Sequence, residues 1–198
     1  MHANLSSSER REALAAAAEQ ELGALAARGV RMAGNAFSPI LLVKGQLNEA
    51  EAAGGELLAG ADGAALRASL LRLGWAPEDF CALASVHGAG DPAVADAPAA
   101  GEPLRPELFR EALEALDPEA VILLDDAAAD AMREAYADAL SIIEDFNTAM
   151  LMPGLVACVL GRRVLALDGF EAALDQGAAA KQRMWAYLKQ LPPEGAPY

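Results

Sequence analysis

Along this chain the apolar positions switch repeatedly between helical spacing and short unbroken runs, and each switch marks an element. Leu14, Ala18, Leu22 and Leu25 recur on one helical face behind Ser6-Ser7-Ser8-Glu9, a capping-box start, and Gly29 stops the pattern. Pro39-Ile40-Leu41-Leu42-Val43 reads as the first buried strand. Leu66, Leu70 and Leu73 point inward from a helix over about Asp62 to Leu73, closed by Gly74, and a second strand is expected from Phe80 to Val86. From His87 to Pro103 no period survives among Gly, Ala, Asp and Pro, which predicts a long surface loop. Pro106 suits the first turn of a helix carrying Leu108, Phe109, Leu113 and Leu116, and Val121-Ile122-Leu123-Leu124 is the third strand. A long helical region is expected from about Ala127 to Met150, with a break near Asn147. Leu155 to Leu160 and Arg163 to Leu167 flank Gly161-Arg162 as a hairpin or bent strand pair. The last helix, about Ala178 to Gln190, turns Met184, Tyr187, Leu188 and Leu191 inward and ends before Pro192-Pro193.

Helices alternating with short apolar strands define an α/β protein. The expected architecture is a three-layer α/β/α sandwich with a mainly parallel central sheet of about four strands. A chain of 198 residues supports one such domain. Residues 1–30 are expected to form a helix packed on a domain spanning 31–191, with 192–198 as a frayed tail.

Composition narrows the partners. No apolar run approaches the ~20 residues that span a bilayer, and Met1 to Arg11 is polar with no apolar signal core behind it, so a cytoplasmic protein with no membrane contact is expected. Cys81 and Cys158 each sit in an apolar segment without a second thiol nearby and are read as buried free thiols. The formal net charge of −14, from 29 acids against 15 bases, works against counterion release from phosphates, so DNA binding is expected to be weak or absent. Arg67 with Arg72, Arg162 with Arg163, and Lys181 with Arg183 and Lys189 are read as solvated helix or turn surface rather than a nucleic-acid patch.

Several segments, in order, carry a resemblance. Leu41-Leu42-Val43-Lys44-Gly45-Gln46-Leu47-Asn48 stands where a strand would end in a G-E-x-P-G motif. Gly55 to Gly63 overlays G-x-P-F-x-G-x-x-G with Gly55, Gly60 and Gly63 in place. Gly74 to Phe80, Pro118 to Leu124 with Ala127-Ala128, and Val164 to Leu174 followed by Lys181 and Trp185 continue the series, from about Gly34 to Leu191. The chain resembles the uracil-DNA glycosylase superfamily, closest to its iron–sulfur branch, family four. That resemblance implies an α/β/α sandwich with a base-binding crevice at the strand ends.

It also implies four groups that this sequence does not supply. The acid that orients the attacking water matches Gly45, and the aromatic platform that stacks on uracil matches Leu58, which has no π face. The asparagine that reads the base edge matches Ala84, and the histidine that supports the departing anion matches Gly169, next to the carboxylate of Asp168. The cysteines of the iron–sulfur cluster have no counterparts, so the cluster is expected to be absent, and no other cofactor or metal is expected. A catalytically degenerate protein with a binding or interaction role follows, its partner a protein, a small ligand or a second copy of the chain.

Two alternatives stay open. An active glycosylase or hydrolase with displaced catalytic residues predicts a basic concave face. A small-ligand binder or enzyme would draw on Lys44, Gln46, Asn48, His87 and Asp168 at the carboxyl ends of the strands, where open α/β sheets place ligands. The simpler reading makes Lys44 and Glu49 solvated loop residues, places Glu49 and Glu51 on a short exposed helix, and has His87 open a loop. Gly54-Gly55 and Gly60 to Gly63 fit neither phosphate-loop spacing. Asp125 or Asp126 is read as the N-cap of the next helix rather than a cation ligand.

Overall fold

The apolar runs that the sequence marks as strands form the interior of a sheet. The structure, a computed structural model, describes residues 7–76, 80–88 and 99–193. The expected capping-box residue Ser6, the Pro77-Glu78-Asp79 turn, the body of the loop after His87 and the tail beyond Pro193 lie outside the described residues. In chain order the elements are α1 (Ser7–Ala27), β1 (Val30–Gly34), β2 (Ile40–Lys44), α2 (Glu49–Ala52), α3 (Ala61–Arg72), β3 (Cys81–His87), α4 (Pro106–Leu116) and β4 (Ala120–Leu123). They continue with α5 (Asp126–Ala135), α6 (Ala137–Leu140), α7 (Phe146–Ala149), β5 (Val156–Val159), β6 (Arg162–Ala166), α8 (Phe170–Asp175) and α9 (Ala178–Leu188).

The protein is α/β, with one six-stranded sheet in the order β1-β3-β2-β4-β6-β5 and helices on both faces. The sheet is mixed rather than mainly parallel, and it has six strands rather than four. β3, β2, β4 and β6 run parallel, but β1 pairs antiparallel with β3 at one edge and β5 antiparallel with β6 at the other. β1 escapes a hydrophobic reading because its five residues include Arg31 and Gly34 and follow directly on the helix stop. The expected hairpin is present as β5 and β6, turned through Leu160 and Gly161 at φ 49° and 85°. Two positive φ values at the turn centre match the twist of the flanking strands.

Strand alternation deals the side chains to two cores. Leu41, Val43, Leu83, Val121, Leu123 and Val164 face α4 and α5, where Leu108, Phe109, Leu113 and Met132 close over them. Ile40, Leu42, Ala82, Ile122 and Leu165 face the other way, onto Leu66 and Leu70 of α3, Phe170 of α8 and Met184 of α9. β2 is buried along its whole length, as a strand with parallel neighbours and helices on both faces must be. α1 contributes Leu25, and in part Leu22, to the first core, whereas Leu14 is 71% exposed.

Two other expectations are corrected. The region 127–150 is not one helix broken at Asn147 but three helices, interrupted at Tyr136 and again over 141–145, with Asn147 inside α7. Cys158 is exposed, because alternation along β5 turns Ala157 and Val159 inward and Cys158 out. Cys81 is buried, and burial pushes its thiol up to about 12. A thiol-specific disulfide reagent at pH 8 is therefore expected to modify one thiol per folded chain promptly and the second only after unfolding. Prompt reaction of both would contradict this placement. No helix among the described residues is long and apolar enough to cross a membrane.

Candidate functional site

At the carboxyl end of β2 the chain places a lysine where the sheet's second core meets three helices. Lys44 is 3% exposed, and its Nζ lies 2.7 Å from Glu51 Oε2, 2.7 Å from Asp62 Oδ2 and 2.6 Å from Glu171 Oε2. Glu51 comes from α2, Asp62 from the first turn of α3 and Glu171 from the first turn of α8, so one ammonium ties three helices to the sheet. Burial by itself lowers the lysine pKa. Hydrogen bonds to Asp62, Glu171 and Glu51 outweigh it and hold Lys44 above the ordinary lysine value.

Glu51 is the busiest of the three carboxylates. Asn48 caps α2 by accepting from Glu51 N, while Glu51 Oε2 accepts from Asn48 N at 3.0 Å, a complete capping box. Glu51 Oε1 also accepts from Leu58 N at 2.9 Å. That bond fixes Leu58 in a left-handed conformation, φ 56°, with its side chain fully buried in the second core. Gly63 lies so close to the Leu58 carbonyl oxygen that a Cβ would sit 1.7 Å from it, so this glycine of the Gly55–Gly63 motif is required for packing.

A second carboxylate closes the turn after β2. Asp125 is the N-cap of α5, accepting from Ala128 N at 2.9 Å, and it also accepts from Gly45 N at 2.9 Å and Gln46 N at 2.9 Å. The turn is drawn so tightly against α5 that a Cβ on Gly45 would lie 2.6 Å from Ala127 Cβ and 2.7 Å from Ser85 Oγ. An acidic side chain at position 45 has no room, and the turn amides already hold a carboxylate.

The five expected crevice residues do not converge. Lys44 follows Ile40 and Leu42 onto the face of α3 and α8, whereas His87 follows Cys81 and Leu83 onto the opposite face. His87 is 2% exposed, and burial lowers its pKa, assisted by Arg105 and opposed by Glu102 and a backbone hydrogen bond with Arg28. Asp168 is exposed and pairs with Arg183 at 3.4 Å. Asn48 is spent on its cap. Gln46 alone stays beside Lys44, in a cleft of about 50 Å³ with Asp62, Asp125, Gly169 and Glu171. A roomier cavity of about 320 Å³ opens between the ends of β2 and β3, lined by Arg31, Gly45, Leu47, Val86, His87 and Gly101. Arg31 is engaged there with the carbonyls of Glu51 and Gly55.

Of the other positions implied by the resemblance, Leu58 and Ala84 are buried, whereas Gly169 lines the small cleft. Ala84 is fully buried in the second core, and Gly169 precedes α8 at φ 69°. Leu57 and Leu58 are buried and Leu47 packs beside them. Carboxylate oxygens of Glu51, Asp62 and Glu171 lie within 4.8 Å of one another, a spacing suited to a cation, but Lys44 Nζ supplies that cation itself. Cys81 on β3 and Cys158 on β5 are separated by three intervening strands.

Sequence reasoning placed Lys44 and Glu49 in solvent and Glu51 on an exposed helix. The structure leaves Glu49 exposed and buries Lys44 and Glu51. The signal that could have found Glu51 was Asn48-x-x-Glu51, a capping box whose glutamate turns back toward the strand end. Nothing local marks Asp62 or Glu171, which reach Lys44 only through the fold. Of Asp125 and Asp126, either of which could be the N-cap from the sequence, Asp125 is the one that caps α5. Of the basic residues read as surface, Arg67 lies over Phe80, Arg72 over Trp185, and Arg162 pairs with Asp117. What fold and site define is an α/β domain whose strand-end crevice is bridged by its own charges. No protein-family model matches the chain, and no curated protein matches it.

Proposed function

We propose that the chain is a non-catalytic binding domain built on a uracil-DNA glycosylase-like frame. The observation that carries the reading is the closed turn at Gly45, where the water-orienting acid of the resembling family would stand. There the backbone amides bind Asp125 and the neighbouring atoms leave no space for a side chain. The buried Leu58, the buried Ala84 and the fully paired Lys44 support it. One lost catalytic donor costs about 10²–10³-fold in rate, and four losses at one centre leave little chemistry to measure.

The test is uracil release from a single-stranded, uracil-containing oligonucleotide under single-turnover conditions, with protein from a host lacking uracil-DNA glycosylases. No release above buffer is expected. Release that falls on His87→Ala or Asp168→Ala would overturn the reading and locate a displaced centre. The cavity beside His87 supports a second reading, a small-ligand binder. It predicts that free uracil or a nucleoside raises the melting temperature of the wild type but not of His87→Ala.

A further inference from the structure

A surface that shares no lining residue with the strand-end crevice has the features of a binding groove. The break over 141–145 splays α6 from α7, and between them lies an open cavity of about 400 Å³ lined by Leu140, Ile143, Phe146, Ala149 and Met150 together with Arg133 and Glu144. Phe146 is 73% exposed and Met150 40% exposed. Ile142 and Met152, which flank these residues in sequence, are exposed as well. Methionine suits such a surface because its unbranched, polarizable side chain repacks around different partners.

The lining carries one cation, Arg133, and one acid, Glu144, and the exposed charges on the neighbouring stretches are mostly acidic. Asp130, Glu134, Asp138, Glu144 and Asp145 are exposed on α5, on α6 and in the connection to α7, and of these Asp138 is already paired with Arg110 at 2.9 Å. Arg133, the cation in the lining, is already engaged with Asp130 and donates to the Met150 carbonyl at 3.1 Å. Glu144 has no ion pair among the described residues and lines the groove.

We infer that this groove takes a basic amphipathic helix, with apolar anchors entering between α6 and α7 and lysines or arginines facing the acidic rim. Helix-in-groove recognition asks for this combination of an apolar slot and complementary flanking charge. A second copy of the chain is the poorer occupant. A two-fold interface would set the same acidic rim against itself, in a chain whose net charge is already −14. The proposal rests on the reading of the chain as a binding domain and names the chemistry of its partner.

The probe is a fluorescein-labelled synthetic helix of about 18 residues with leucines at i, i+3/i+4 and i+7 spacing and lysines on the flanks, followed by anisotropy. A second peptide has the same apolar face and glutamates for lysines. The lysine peptide is expected to bind and the glutamate peptide not to. Phe146→Asp with Met150→Asp is expected to weaken binding by more than about tenfold. That variant makes the protein more acidic, so general attraction to a cationic peptide would rise, and a loss can come only from the apolar slot. Glu144→Lys is expected to weaken binding as well, and circular dichroism of both variants checks that the helices persist. Equal binding to the Phe146→Asp/Met150→Asp variant, or no binding of the lysine peptide, would overturn the proposal. So would a wild-type dimer in sedimentation that this variant dissociates. Uracil release is read separately, so failure of the non-catalytic reading is not mistaken for failure of the groove.

Discussion

Lys44→Met is expected to lower the unfolding free energy by about 3–5 kcal/mol, a large share of the ~5–15 kcal/mol typical of a domain. Methionine fills much of the lysine's volume, so the loss is electrostatic. Glu51 and Asp62, each 3% exposed on their side chains, and the half-buried Glu171 would keep their charges without the ammonium that balances them. Denaturant unfolding at neutral pH measures the loss. Adding Glu51→Gln and Asp62→Asn to Lys44→Met is expected to restore part of it by removing the stranded charges. An unchanged midpoint for Lys44→Met would show that the cage contributes nothing net. The pH dependence has a definite sign. Because the folded pKa of Lys44 lies above its unfolded value, the stabilisation is complete below the ordinary lysine pKa of about 10.4 and is lost as pH rises through the higher folded value. The wild type should therefore lose stability on the alkaline side more steeply than Lys44→Met does.

Asp125→Ala is the second large effect, expected to cost about 3 kcal/mol. The carboxylate accepts from Gly45 N, Gln46 N and Ala128 N, and alanine would leave these donors without their acceptor in a site that is 4% exposed. A bond to a charged group contributes about 1.5–3 kcal/mol, and loss of a helix cap alone costs about 1 kcal/mol. Asp125→Asn keeps one carbonyl oxygen and is expected to fall between the wild type and alanine. If both variants unfold within about 0.5 kcal/mol of the wild type, the turn is not held by Asp125.

Elements with an unbroken apolar run or a full helical apolar face were the legible part of the sequence. Ile40 to Val43, Val121 to Leu123 and the amphipathic Leu108–Leu116 face each announce themselves by apolar spacing. β1 did not, because an edge strand with one exposed side needs no continuous apolar run, and α8 was hidden because Phe170 and Ala173 are too few to show a helical period. Within the site, Asp125 was legible because an N-cap is a local device. The Lys44 cage was not, since Asp62 lies 18 residues from Lys44 in sequence and Glu171 lies 127. Charged residues pattern like surface until a fold gathers them, and only the Asn48–Glu51 box carried a local hint of burial.

The assignment of Lys44 and His87 to opposite sides of the sheet also bears on the routes by which this scaffold could change. A lysine and a histidine at neighbouring strand ends look like raw material for acid–base chemistry, one or two substitutions from use. They are not, because every side chain of β3 would have to be inverted before the two could meet, and Cys81 and Leu83 would change cores with Ala82 and Ala84. That inversion exchanges four buried side chains together, which no single substitution brings about. A new activity on this domain would more easily start from Arg31 and His87, which already share a cavity, than from the lysine that the cage holds.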